Sequence, residues 1–185
     1  MSLIFNGTTI QYTGTIKYNG TSLTKVIYDG TTVWTKDTNV YLYNSGVENT
    51  ALHGGFKAYQ RCGFGWDWYD DADEYGICSI TRGTSTITFT GPGNEYGSIM
   101  CPTAINLTNY SKLIVVSTKV NLVSSGGPRV GFATSTSTQF SGTYMTIDSS
   151  GTKTLDISSL TGKHYFAIAF QNKCVLTASK IYLVP

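Results

Sequence analysis

Charge is what this chain has least of. Only 13% of its 185 residues are Asp, Glu, Lys or Arg, about half the usual share for a soluble domain. With 13 basic and 11 acidic residues, the formal net charge is +2. That supplies no basic field for nucleic acid and none for an anionic membrane. Histidine occurs only at His53 and His164, and the four cysteines, Cys62, Cys78, Cys101 and Cys174, stand 16, 23 and 73 residues apart. Without a Cys-x-x-Cys pair, a structural zinc site has little to build on. No apolar run approaches the roughly 18 residues of a membrane-spanning helix, so membrane insertion is not expected. No stretch keeps helical periodicity for three turns. No Gly-x-Ser-x-Gly elbow offers His53 a nucleophile, and no phosphate-cradling glycine loop leads into a helix. The chain is not expected to be an enzyme.

Thr, Ser, Gly, Asn and Tyr fill the places left by charge, while hydrophobic residues still make up 41%. That length and apolar content suit one substantial domain, or a small module plus a domain of ordinary size. The first 34 residues repeat one phrase three times: Ile4-Phe5-Asn6-Gly7-Thr8-Thr9-Ile10, Lys17-Tyr18-Asn19-Gly20-Thr21-Ser22-Leu23 and Ile27-Tyr28-Asp29-Gly30-Thr31-Thr32-Val33. Asn-Gly and Asp-Gly tolerate positive φ at both central turn positions and so favour tight hairpins. Strands this short bury little surface, so such a module gains stability by packing on something else.

After Trp34 the pattern remains β. Thr86-Ile87-Thr88-Phe89-Thr90 alternates apolar with Thr, as a half-buried strand should. In His164 to Phe170, Phe166, Ile168 and Phe170 share one face, and Tyr165, Ala167 and Ala169 the other. Lys112-Leu113-Ile114-Val115-Val116 is denser and reads as a central strand covered on both sides. His164 reads as a surface or edge residue. Turn-forming clusters such as Gly91-Pro92-Gly93-Asn94 and Ser124-Ser125-Gly126-Gly127-Pro128 separate about ten such strands. The predicted fold is all-β: a hairpin module over residues 1–37, then a two-sheet jelly-roll β-sandwich over 38–185.

Two resemblances sharpen this. Residues 18 to 34, Tyr-Asn-Gly-Thr-Ser-Leu-Thr-Lys-Val-Ile-Tyr-Asp-Gly-Thr-Thr-Val-Trp, resemble the opening of phage tail and other virion structural proteins. The resemblance implies a virion protein assembled in the host bacterial cytoplasm. Met1-Ser2-Leu3-Ile4-Phe5 fits that expectation, since it runs into the first hairpin with no secretory n-region, h-region or cleavage site. In a reducing cytoplasm the four cysteines are expected as free thiols, although they also allow three disulfide pairings. Further along, Ile105-Asn106-Leu107-Thr108-Asn109-Tyr110-Ser111-Lys112-Leu113 is similar to a phrase that precedes a central strand in galactose-binding-like and carbohydrate-binding-module-like jelly rolls. Members more often have Asp where this chain has Asn106. Leu155-Asp156-Ile157-Ser158-Ser159-Leu160-Thr161-Gly162 and Ala178-Ser179-Lys180-Ile181-Tyr182-Leu183 resemble later stretches of the same domains.

One segment departs from the hydroxyl-rich style. Arg61 to Tyr75 holds Trp66 and Trp68 and a local net charge of −4, Arg61 against Asp67, Asp70, Asp71, Asp73 and Glu74. Aromatic faces beside carboxylates suit sugar rings, which makes Trp66, Asp67, Trp68, Tyr69, Asp70, Asp71 and Tyr75 the candidate ligand-binding residues. Packing of the tryptophans on the sandwich edge, or a simple solvated loop, would explain the same residues. Asp71, Asp73 and Glu74 also offer oxygen ligands to calcium. The EF-hand register fails, with Tyr75 at its fifth position and Arg82 at its twelfth, so any calcium would need an irregular loop. The expectation is a non-enzymatic virion component, of tail-fibre, receptor-binding or head-decoration type, that binds a host cell-surface glycan without an obligatory cofactor. Other virion proteins and further copies of itself, most plausibly as a trimer, are the expected partners. The alternatives are a purely structural virion protein and a secreted carbohydrate-binding module.

Overall fold

The computed structural model describes residues 2–5, 8–11, 17–18, 21–28, 31–59, 77–93, 96–122, 126–135, 140–171 and 173–185. The chain divides into two compact units, Met1–Thr38 and Asn39–Pro185. Strands are numbered along the chain. The first unit contains three antiparallel pairs among its described residues: β1 (Ser2–Phe5) with β2 (Thr8–Gln11), β3 (Lys17–Tyr18) with β4 (Thr21–Ser22), and β5 (Lys25–Tyr28) with β6 (Thr31–Thr35). The innermost partners are Phe5 with Thr8, Tyr18 with Thr21 and Tyr28 with Thr31. Each Asn-Gly or Asp-Gly thus falls in a two-residue connection, the length that tight hairpins use. Those dipeptides themselves lie outside the described residues.

The second unit is a two-sheet β-sandwich of jelly-roll type. Its first sheet runs in the order β10 (Ser79–Arg82), β11 (Ile87–Thr90), β19 (Val175–Val184), β14 (Lys112–Asn121), β17 (Gly151–Asp156). β7 (Val40–Asn44) lies end to end with β11 along the same side of β19 and carries the short β8 (Val47–Glu48). The second sheet runs β16 (Phe140–Thr146), β15 (Arg129–Ala133), β18 (Lys163–Gln171), β12 (Tyr96–Met100), β9 (Lys57–Tyr59), with β13 (Ile105–Asn106) on the start of β18. Period-2 alternation fills the space between the sheets. Ile87, Phe89, Leu113, Val115, Leu176, Ile181 and Leu183 come from one sheet, and Ile99, Val130, Phe132, Phe166, Ile168 and Phe170 from the other, all fully buried. Among the described residues no helix is long and apolar enough to cross a membrane.

Two sequence expectations need correction. β14 is central but not covered on both faces: Leu113 and Val115 are buried, while Ile114 and Val116 are only half-buried on the other side. β18 is the strand buried on both, because Ala167 and Ala169 are as inaccessible as Phe166 and Ile168. On the second face of β18 Ala167 packs with Met100 and Ala133 of the neighbouring strands, with Tyr165 against them, whereas the second face of β14 stays half-open. His164 is buried near the start of β18, opposite Ile105. Finally, one short helix exists, α1 (Thr50–His53). A single turn is too short to show periodicity and is set instead by its caps: Asn49 accepts from the Leu52 N–H, and Gly54 closes the end in the left-handed region.

The turn between β7 and β8 is the tightest glycine requirement. Ser45 and Gly46 both have positive φ, 46° and 98°, the pattern of a type I′ hairpin. A Cβ on Gly46 would sit 2.1 Å from the Thr84 carbonyl oxygen of the neighbouring β10–β11 turn. Gly46→Ala is therefore expected to destabilise the sandwich by about 1–3 kcal/mol or more, read as a lower melting temperature. Gly93→Ala, with no atom within 4 Å of the new Cβ, is the matched control and should change little. The three described cysteines, Cys78, Cys101 and Cys174, are buried thiols. Burial pushes the Cys78 thiol up to about 12 and Cys101 well above its ordinary value. A thiol reagent should modify these three only under denaturing conditions; rapid labelling of any of them in the native protein would contradict their burial.

Candidate functional site

The residues Trp66, Asp67, Trp68, Tyr69, Asp70, Asp71 and Tyr75 lie outside the described residues, as do the calcium candidates Asp71, Asp73 and Glu74 and the fourth cysteine, Cys62. Their flanks are described. The segment is bounded by β9 on one edge of the second sheet and β10 on one edge of the first. Ile77, just after it, is 71% exposed. Among the described residues no three carboxylates, thiols or imidazoles gather to hold a metal ion.

The described residues form a site of their own at the β7–β8–α1 corner. A cleft of about 660 Å³ is lined by Asn39, Tyr41, Asn44, Val47, Glu48 and Asn49, with neighbouring residues of β7 and α1. Tyr41 pairs across the ladder with Tyr182 of β19. Because Leu42, Ile181 and Leu183 point into the core, Tyr41 and Tyr182 are left on the outer face of the sheet. Their rings stand 5.1 Å apart at a 39° tilt, a favourable aromatic geometry. Both residues are half-buried.

Hydrogen bonds fix the cleft walls. The Asn49 amide donates to the Tyr41 carbonyl at 3.1 Å and accepts from Leu52 N–H at 3.2 Å, joining β7 to α1. Glu48 is the one carboxylate among the lining residues. It accepts from the Phe56 N–H and from Arg82 Nε at 2.8 Å, and Arg82 also donates to the Phe56 carbonyl. With its charge neutralised and both oxygens occupied, Glu48 is a structural anchor rather than an acid or base. Hydrolysis of a glycosidic bond calls for two carboxylates at a defined separation, and the cleft lining supplies one that is already engaged. Amide, phenol and aliphatic groups dominate the lining: convergent polar groups beside apolar ring faces, the composition of a small-molecule or sugar site.

His53 locks α1 from beneath. It is fully buried, its Nε2 donates to the Leu42 carbonyl at 3.0 Å, and its Nδ1 accepts from Gly55 N–H at 3.2 Å. The ring lies 4.7 Å from Phe56. Burial lowers its proton affinity below the ordinary 6.5, against smaller opposing effects from its hydrogen bond and from Glu48. This histidine is structural, and sequence position alone did not reveal it.

Nothing in the sequence around Tyr41 and Tyr182 marks a site. The local strand signal was present, since both alternate with buried aliphatics. Their pairing across 141 positions was not readable. No family model matches this chain, and no curated protein does. Among solved structures, a family 29 carbohydrate-binding module from Piromyces equi is similar at a TM-score of 0.40 and 15% identity, covering 80% of this chain and 91% of that one. So loose a likeness leaves the site to be read from its own residues.

The buried neutral His53 has a pH consequence. Unfolded, it takes up a proton near 6.5; folded, it resists doing so, so its contribution is present above that pH and lost as pH falls through the lowered folded value. The melting temperature of the wild type should therefore fall between about pH 7 and pH 5. His53→Gln, which keeps a donor but cannot titrate, should show a shallower decline. Equal slopes for the two proteins would remove His53 as the cause.

Proposed function

We propose that this protein is a non-catalytic glycan-binding component of a phage virion, with its β-sandwich presented to a host cell surface. The observation that carries the glycan reading is the Tyr41–Tyr182 pair, seated on strands beside a cleft lined by Asn39, Asn44 and Asn49. Sugar rings present apolar C–H faces and a fringe of hydroxyls. The ring pair matches the first and the Asn44 amide the second, the Asn49 amide being engaged in joining β7 to α1. Strands hold the rings in place, so little side-chain freedom remains to be lost on binding. The Trp66 to Tyr75 segment, with its tryptophans and carboxylates, is proposed as a second contact to the same class of ligand.

The virion assignment rests on the Asn-Gly-Thr repeats of the first unit and their resemblance to virion proteins. In this reading residues 1–37 attach the protein to other virion components or to further copies of itself, with a trimer preferred, and assembly takes place in the host cytoplasm. Neither catalysis nor a cofactor enters the reading.

A glycan array and adsorption to bacterial cells test the site. Tyr182→Ala should weaken binding by roughly 5- to 150-fold, the equivalent of losing about 1–3 kcal/mol of ring burial. The melting temperature should change far less, because the ring is half-exposed. Trp66→Ala and Trp68→Ala, run in parallel, measure the second contact. Unaltered binding by Tyr182→Ala would remove the ring pair from the site. Wild-type protein that binds no glycan on the array would leave a purely structural virion role.

A further inference from the structure

Charges are few in this chain, yet three lysines share the open outer face of the first sheet. Lys112 is exposed opposite Val184, and Lys180 stands opposite Val116 and Asn44. Lys119 is exposed opposite Thr177. Strand alternation fixes their side: Leu113, Val115, Ile181 and Leu183 fill the core, leaving Lys112, Ile114, Val116, Lys180 and Tyr182 on the other face. At about 3.3 Å per residue, Lys112 and Lys180 are separated by ~13 Å along the strands, and Lys180 and Lys119 by ~10 Å. The Tyr41–Tyr182 pair lies between the first two. Asp156, opposite Lys112, is the one carboxylate among the described residues of this face. Its Oδ1 accepts from the Ser158 N–H and hydroxyl at 2.9 and 2.6 Å, which keeps it ionised, so Lys112 is partly balanced while Lys180 and Lys119 face no carboxylate among the described residues of this face. The face is therefore a half-apolar strip with regularly placed positive charge, in a protein whose overall charge is only +2.

We infer that the ligand is a linear acidic glycan, carrying carboxylate or phosphodiester groups, laid lengthwise along β14 and β19. Its sugar faces rest on Tyr41 and Tyr182, and its anionic groups meet Lys112, Lys180 and Lys119. This deepens the glycan-binding reading and depends on it. Each lysine ion pair is exposed and individually weak, so the match arises from spacing: one flexible monovalent sugar cannot reach all three, whereas a chain can. Thr152 and Thr154, exposed on β17 and opposite Val116 and Ile114, add hydroxyls along one flank.

The test measures binding of the full chain to polygalacturonate, to poly(glycerol phosphate), to the neutral polymer dextran and to double-stranded DNA. Expected is binding to one or both acidic polymers that weakens as salt shortens the screening length below about 8 Å. The first two arms distinguish carboxylate from phosphate as the anion. Lys180→Gln should lower affinity about 2- to 5-fold, as an exposed ion pair allows, and Lys112→Gln/Lys119→Gln/Lys180→Gln by at least tenfold, with melting temperatures unchanged. Tyr182→Ala should weaken acidic-polymer binding as well. Binding to dextran alone, or acidic binding indifferent to the lysine variants, overturns this inference and leaves glycan binding standing. Equal binding to DNA that ignores Tyr182→Ala also overturns it, as simple cation exchange. Binding to none of these polymers, nor to any glycan on an array, overturns both.

Discussion

The sandwich depends on two chain crossings that clasp each other at one end. Between β13 and β14 the chain passes from the second sheet to the first, and between β17 and β18 it returns. Each crossing is the same small device. Asn106 Oδ1 accepts from the Thr108 N–H and hydroxyl, and Asp156 Oδ1 from the Ser158 N–H and hydroxyl, so a short polar side chain turns the backbone. The residue between, Leu107 or Ile157, is thereby pushed into the core and fully buried. The next turn closes on it, with Tyr110 N–H to the Leu107 carbonyl and Leu160 N–H to that of Ile157, both at 2.9 Å. The two devices then satisfy one another: Leu107 N–H donates to the Gly162 carbonyl and Ile157 N–H to the Ser111 carbonyl. Truncating a buried plug of this kind costs about 2–5 kcal/mol, and here it would also orphan the partner's backbone groups. Because β14, β17 and β18 all begin or end at this clasp, it sets the register on which the outer-face residues depend.

The opposite demand, holding the corner where the cleft lies, falls to aromatic packing. Phe56 meets Phe89 of the first sheet edge-on at 5.2 Å and Phe166 of the second at 5.8 Å. Phe166 in turn meets Phe132 at 5.9 Å. Phe56 thus ties the two sheets together directly after α1. Its backbone N–H and C=O are held by Glu48 and Arg82, so the polar anchors and the aromatic wedge converge on one residue. The cleft is thereby tied to the core through Glu48, which lines it and holds the Phe56 N–H.

Alternation carried most of the architecture. Ile87 and Phe89, Phe166 to Phe170, and the aliphatics of Lys112 to Val116 could be assigned to strands because a period of two is a local property. The crossing devices were also legible, as the phrases Asn106-Leu107-Thr108 and Asp156-Ile157-Ser158, since an Asx turn is written in three consecutive residues. What failed was whatever depended on a distant partner. Whether the second face of β14 or of β18 is covered is decided by other segments, not by the strand itself. The Tyr41–Tyr182 pair and the Glu48–Arg82 bridge join residues 141 and 34 positions apart, and His53 became a buried lock only because α1 folds it beneath β7. The acidic, aromatic stretch drew attention for its composition, which reveals chemistry without geometry.

A low-charge, hydroxyl-rich surface changes what a few lysines can do. On an ordinary domain, about a quarter of the residues are charged, and three lysines would be lost among neighbours of both signs. Here the open face of the first sheet offers them one carboxylate among the described residues, Asp156 opposite Lys112, while Glu48 is drawn into its bridge with Arg82. In the acidic-glycan proposal sparse charge is a selective feature: threonine hydroxyls and tyrosine rings would hold a sugar chain without regard to its charge, and the spacing of Lys112, Lys180 and Lys119 would favour the acidic chain over the neutral one. Weak individual contacts would suit the proposed virion role, in which several copies on one particle would multiply them through effective concentration. The bridge that engages Glu48 is thus structural in origin and electrostatic in effect.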